Sequence, residues 1–253
     1  MITLLDIRAG RSGTDAIAVR CFAGFRMELA GQRLEWSRLR PRMRALLRLL
    51  AAAGGRPVHR ESILAALWPN LPVPAGIRNL HVGISTLRAF LEPDVGRGES
   101  RLVRRDGECY LLAVPPDGCH DVRAFTDAVG SWQRAQARGD LPGAATALRQ
   151  AVALYTGDLL PEDGPAEWVV AERDRYRLLA VQSAVALAAL ELDAGNYPEA
   201  VAVARRGIEL DGCHDPAWRV LAEAHHRCGD RAAAAQTRSA YRAMLHSLGV
   251  LAA

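Results

Sequence analysis

The chain has 253 residues, 50% of them hydrophobic and 24% charged, with a formal net charge of +4. That length suits two domains, each able to bury a core, and the composition excludes a disordered polymer. No apolar run approaches the roughly 20 residues that span a bilayer. Residues 1–13 carry acidic Asp6 and no sustained apolar stretch, so they do not read as a signal peptide. A cytoplasmic protein, without a membrane partner, is expected.

All 32 basic residues are arginine, and they are unevenly placed. Residues 1–118 hold 18 arginines against 11 acids, a net of +7, whereas residues 119–253 have a net of −3. The first half is the one suited to a polyanion. The five cysteines are scattered without a CxxC pair and read as reduced structural thiols. Cys213, His214, His225, His226 and Cys228 are of zinc-binding type, but packing and solvation account for them, and no metal or cofactor is assigned.

Residues 1–16 read as an N-terminal extension. Short strands are expected over 19–22, 25–29 and 33–36, broken at Ala23-Gly24 and Ala30-Gly31. A first helix opens at Pro41 and carries Met43, Leu46, Leu47 and Leu50 on one stripe to Ala53. Arg38, Arg40, Arg42, Arg44 and Arg48 cluster around its front end, as a solvated face or as phosphate contacts. A second helix spans about 60–68 with Ile63, Leu64, Leu67 and Trp68 inward, followed by Pro69, Pro72 and Pro74.

A third helix, residues 75–91, places Ile77, Leu80, Ile84, Leu87 and Leu91 on a buried stripe. At about 100° per residue the opposite face carries Arg78, Val82, Ser85 and Ala89, flanked by Asn79 and Thr86. Gly83, in mid-helix, reflects either close approach to DNA or helix crowding. Residues 101–112 then read as a β-hairpin turning at Asp106-Gly107, with Arg104 and Arg105 beside the turn. A groove-sized helix followed by an arginine-bearing hairpin is the layout of a winged-helix DNA reader.

Pro115-Pro116-Asp117-Gly118 marks a boundary, giving domains at 17–116 and 117–253. Beyond it the chain is alanine-rich and helical. Gly139-Asp140, Gly195-Asn196 and Gly229-Asp230 each precede an alanine by the same spacing, at Ala144, Ala200 and Ala234. The last two glycines are 34 residues apart, the tetratricopeptide period. The first two are 56 apart, which implies an insertion over about 155–168. The expected fold is mostly α: an N-terminal winged helix-turn-helix (α+β), then an all-α tetratricopeptide-like domain.

This layout resembles the Streptomyces antibiotic regulatory protein (SARP) family, in which an OmpR-type winged helix precedes a bacterial transcriptional activator domain (BTAD). Asp121 with Phe125 looks like the family's Asp-x-x-x-Phe opening of the second domain. Residues 151–160 resemble its Ala-Leu-aromatic-x-Gly stretch, Trp168 with Glu172-Arg173 its Trp-x-x-x-Glu-Arg element, and Leu248-Gly249-Val250 its terminus. The OmpR-type recognition pattern Arg-x-aliphatic-x-Val-x-Ile-x-x-Leu-Arg is met by Arg78, Leu80, Val82, Ile84, Leu87 and Arg88.

The resemblance implies base-facing roles for Arg78, Val82, Ser85 and Thr86. It implies backbone or wing contacts for Arg42, Arg44, Asn79, Arg88, Arg104 and Arg105. Relatives often place arginine where Thr86 stands, which shifts weight to the wing. The implied function is a transcriptional activator, regulating antibiotic or other secondary-metabolite genes. It would bind duplex DNA at promoter direct repeats, beside a second protomer, and recruit RNA polymerase. The alternative is a helical-repeat scaffold that binds a protein partner. No enzyme is expected, because GxxxxGK, HExxH and GxSxG are all absent. The acidic pair Glu162-Asp163 reads as simple solvation.

Overall fold

A computed structural model describes residues 17–96 and 98–249. The expected extension over 1–16 and the closing Val250 lie outside the described residues. The chain divides into two compact units, Met1–Val122 with Glu162–Gly164, and Arg123–Pro161 with Pro165–Ala253.

The first unit opens with β1 (Ile17–Arg20), β2 (Arg26–Leu29) and β3 (Gln32–Arg33). β1 pairs antiparallel with β2, and parallel with β7 (Cys119–His120), in the order β3-β2-β1-β7. Leu29 faces Gln32, leaving Ala30-Gly31 as a two-residue loop with φ of +51° and +76°. Positive φ at both positions is the type I′ requirement, which matches the strands' twist. Val19 and Met27 lie opposite one another and are fully buried.

Three helices follow: α1 (Pro41–Ala52), α2 (Arg60–Leu67) and α3 (Val73–Leu91). Pro41 starts α1 because its missing N–H would have no partner in the first turn. Leu46, Leu47, Leu50, Ile63, Leu67, Leu80 and Leu87 are almost wholly buried. Two glycines of α3 allow this packing: a Cβ at Gly76 would lie 3.1 Å from Leu64 Cδ2, and one at Gly83 2.8 Å from Leu46 Cδ2. Helix crowding, rather than approach to DNA, therefore accounts for Gly83. Trp36 bridges the ring of Phe25 (5.1 Å) and that of Phe90 near the end of α3 (6.1 Å).

A second sheet, in the order β4-β6-β5, comprises β4 (Val58–His59), β5 (Val103–Asp106) and β6 (Cys109–Leu112). Asp106 pairs with Cys109, so the hairpin loop is Gly107-Glu108, one residue later than Asp106-Gly107. Gly107 has φ +56° and Glu108 is not left-handed, the type II′ pattern with glycine first. Asp106 instead closes the ladder.

Asp121 holds the β1–β2 corner. Its Oδ2 accepts hydrogen bonds from the backbone N–H of Cys21 (2.7 Å) and Phe22 (2.9 Å), and its Oδ1 from Val122. Burial raises its pKa to about 6, outweighing those three donors.

The second unit is helical: α4 (Asp121–Ala137), whose first two residues belong to the first unit, α5 (Leu141–Leu154), α6 (Glu167–Asp193), α7 (Tyr197–Leu210), α8 (Asp215–Arg227) and α9 (Arg231–Ser247). The glycine–alanine repeat has a direct explanation. Gly139, Gly195 and Gly229 sit left-handed after a helix, at φ of +69°, +79° and +82°. Asp140 and Asp230 then cap the next helix, each Oδ1 accepting a backbone N–H at 2.9 Å, from Gly143 and Ala233. Asn196 instead donates to Glu191 Oε2 at 2.8 Å. Ala144, Ala200 and Ala234 are buried.

The insertion differs from expectation. It is shared between the loop before α6 and α6 itself, which at 27 residues is about twice as long as its neighbours. Arg173 donates from Nε to the Leu159 carbonyl and from Nη2 to the Leu160 carbonyl, both at 2.9 Å. Leu160 is thereby held at φ +45°. Phe125 packs against Tyr155 and Tyr176 at about 6 Å.

Candidate nucleic-acid interface

α3 is two-faced. Leu80, Gly83, Ile84, Leu87 and Leu91 are buried and Ile77 is half-buried. Arg78, Asn79, His81, Val82, Ser85 and Ala89 are exposed. Val82 is 64% exposed, unusual for a branched aliphatic residue and suited to contact a thymine methyl group. His81 was missed in the sequence reading, although at 100° per residue it lies within 60° of Arg78 and belongs to the same arc.

Thr86 is half-buried, and its hydroxyl donates to the Val82 carbonyl at 2.8 Å. With its proton engaged, its remaining capacity is as an acceptor. Arg88, also half-buried, donates from Nε to the Val103 carbonyl at 2.9 Å and so ties α3 to β5.

The two wing arginines are both exposed but not equivalent. Arg105 bends back to its own turn, with Nε donating to the Gly107 carbonyl (2.7 Å) and Nη2 to Glu108 Oε1 (3.2 Å). Glu108 also pairs with Arg60, the first residue of α2. Arg104 forms no ion pair among the described residues.

At the start of α1, Arg38, Arg40 and Arg42 are exposed, Arg44 is half-buried, and no acid occupies the first turn. Cations there oppose the helix dipole. The concentration of positive charge is thus unfavourable for the isolated fold and favourable for holding phosphate.

Arg48 departs from that group: its Nε and Nη2 donate to Asp163 Oδ2 and Oδ1, both at 2.6 Å. Glu162 accepts the Phe25 N–H at 2.7 Å. The acidic pair therefore serves the first unit structurally, and the solvation reading is corrected. Among the described residues no three His, Cys, Asp or Glu side chains gather at metal-binding distance. No described helix is long and apolar enough to cross a membrane.

Comparison with known proteins fits this geometry. The family model described as bacterial transcriptional activator domain matches residues 120–251, just over half of the chain. The one described as transcriptional regulatory protein, C terminal, matches residues 35–112. Regulatory protein AfsR of Streptomyces coelicolor is 29% identical over 161 residues, which is 64% of this chain and 15% of that protein.

Among solved structures, Mycobacterium tuberculosis EmbR, in complex with a low-affinity phosphopeptide, shares the fold with a TM-score of 0.72 at 21% identity. The match covers 93% of this chain and 60% of that one. The chain thus spans less than two thirds of either protein. With an OmpR-type winged helix followed by a bacterial transcriptional activator domain, it belongs to the SARP family of transcriptional regulators.

Proposed function

We propose that this protein activates transcription by binding promoter direct repeats, with α3 in the major groove. The observation that carries this reading is the outward face of α3, where Arg78, Val82 and Ser85 are exposed above a fully apolar inner face. Arg78 would bond a guanine edge in bidentate fashion, Val82 would meet a thymine methyl, Ser85 would accept from or donate to a neighbouring base, and Thr86, its proton engaged by the Val82 carbonyl, would accept from one. Arg42, Arg44, Asn79 and Arg88 would hold the backbone, and Arg104 would place the wing on phosphate or in the minor groove, with Arg105 the weaker contact because the Gly107 carbonyl and Glu108 already hold it.

The helical unit would meet a second protomer and RNA polymerase, and the regulated genes would be a secondary-metabolite cluster. Such a protein acts where the chromosome is, in the cytoplasm. Footprinting of the full chain on promoter fragments tests this. Protection of two directly repeated half-sites, lost in Arg78→Ala, is expected. Absence of any salt-dependent duplex binding would overturn it in favour of a scaffold for a protein partner.

A further inference from the structure

We propose that Glu108, at the tip of the wing, is a positioning residue that withholds Arg60 and Arg105 from DNA phosphates and so limits sequence-independent binding. This rests on the DNA reading above. Glu108 is the second residue of the hairpin loop, and its carbonyl accepts the backbone N–H of Arg60 at 2.9 Å. That bond fixes the loop against the start of α2 and delivers the carboxylate between two cations. One oxygen pairs with Arg60 and the other lies 3.2 Å from Arg105 Nη2. Arg105 is drawn back further by its bond to the Gly107 carbonyl.

The three side chains are 39%, 50% and 44% exposed for Arg60, Arg105 and Glu108. Water reaches all of them, so these pairs exchange readily. A phosphate oxyanion competes with the carboxylate for both guanidinium groups. Arg104, next along the strand and pointing to the opposite face, has no such restraint. One carboxylate thus offsets two of the three cations around the wing. Backbone affinity scales with the number of phosphates neutralised, whereas base reading by α3 does not pass through these residues.

The test is titration of the full chain with its footprinted duplex and a scrambled duplex of equal length over a salt series. Glu108→Gln should tighten both duplexes by the same factor, roughly two- to fivefold at low salt. It should also steepen the log–log salt slope by about one to two units, because about one phosphate contact is gained per released arginine. Asp106→Asn removes a neighbouring exposed charge that holds no arginine, and should steepen the slope by less than half as much.

Adding Arg60→Met and Arg105→Met to Glu108→Gln should abolish the gain. The same two substitutions with Glu108 intact should move the slope by less than about half a unit, a readout that needs no Glu108 variant to fold. A slope unchanged by Glu108→Gln, or equally changed by Asp106→Asn, overturns the proposal. A wild-type chain that shows no salt-dependent binding to either duplex overturns the DNA reading itself.

Discussion

Gly83 of α3 lies directly against Leu46 of α1: a Cβ there would stand 2.8 Å from Leu46 Cδ2 and 3.1 Å from Met43 Sδ. Leu46 is fully buried. The outer face of α3 is set at its height above the core by this contact. A recognition helix needs such a rigid seat, because a base contact tolerates little displacement.

Gly83→Ala should therefore destabilise the protein despite its better helix propensity. Alanine gains up to about 1 kcal/mol in the helix, and overpacking costs about 1–3 kcal/mol, so a net loss of about 1 kcal/mol is expected in urea unfolding. Gly83→Val should lose clearly more. The folded fraction of Gly83→Ala should keep its preference among duplexes. Increased stability would mean that Leu46 moves freely, and the crowding account would fall.

Arg78 and Arg104 should separate base reading from backbone binding. Arg78→Ala should cost about 1–3 kcal/mol on the preferred duplex and blunt discrimination at one base pair. Arg104→Ala should weaken all duplexes alike and lower the salt slope by about one unit. Arg105→Ala should have the smaller effect, because its guanidinium is already held by Glu108 and the Gly107 carbonyl. Equal losses on preferred and scrambled duplexes for Arg78→Ala would make it a phosphate clamp.

What was legible in the sequence was local. The inward stripe of α3 follows from 3.6-residue periodicity, and the Gly-Asp-x-x-x-Ala repeat from a left-handed glycine, a capping aspartate and a small contact residue. The exposed face of α3 was legible for the same reason, apart from His81. Pairings across long separations were not. Arg48 looks like its neighbours Arg42 and Arg44, and nothing near it in sequence reveals a carboxylate 115 residues away. Glu162-Asp163 likewise looks like any solvated acidic pair until the chain is folded. The doubled length of α6 was not legible either: its charged first half, 167–179, runs into the alanine-rich second half with no glycine or proline to mark the join.

Asp121 should make stability fall as pH rises through the weakly acidic range. Burial raises its folded pKa to about 6 from an ordinary 3.8, so between these values the folded state binds more protons than the unfolded state. The associated stability is fully present below pH 3.8 and is lost as pH rises through 6. The upper bound is about 3 kcal/mol, at about 1.4 kcal/mol per unit. Asp121→Asn should flatten that part of the stability–pH curve. An unchanged slope in the variant would show that the carboxylate stays ionised in its nest of backbone donors.

Asp163 should matter to the first unit although it is remote in sequence from the rest of that unit. Its bond with Arg48 is bidentate, with the two side chains only 7% and 17% exposed. Removing one partner of such a pair leaves a poorly hydrated charge, at a cost of about 3–5 kcal/mol when burial is complete. With this residual exposure, Asp163→Asn or Asp163→Ala should cost about 2–4 kcal/mol and lower the melting temperature of the full chain. Replacing both residues with leucine should recover most of the loss, because a matched apolar pair carries no desolvation penalty. The same logic applies to a fragment of residues 17–118. It keeps the excess positive charge and should bind duplexes weakly, but it lacks both Asp121 and Asp163 and should melt well below the first unit of the full chain. Double-mutant-cycle melts decide the matter: a coupling energy near zero between Arg48 and Asp163 would reduce their contact to a solvated surface pair.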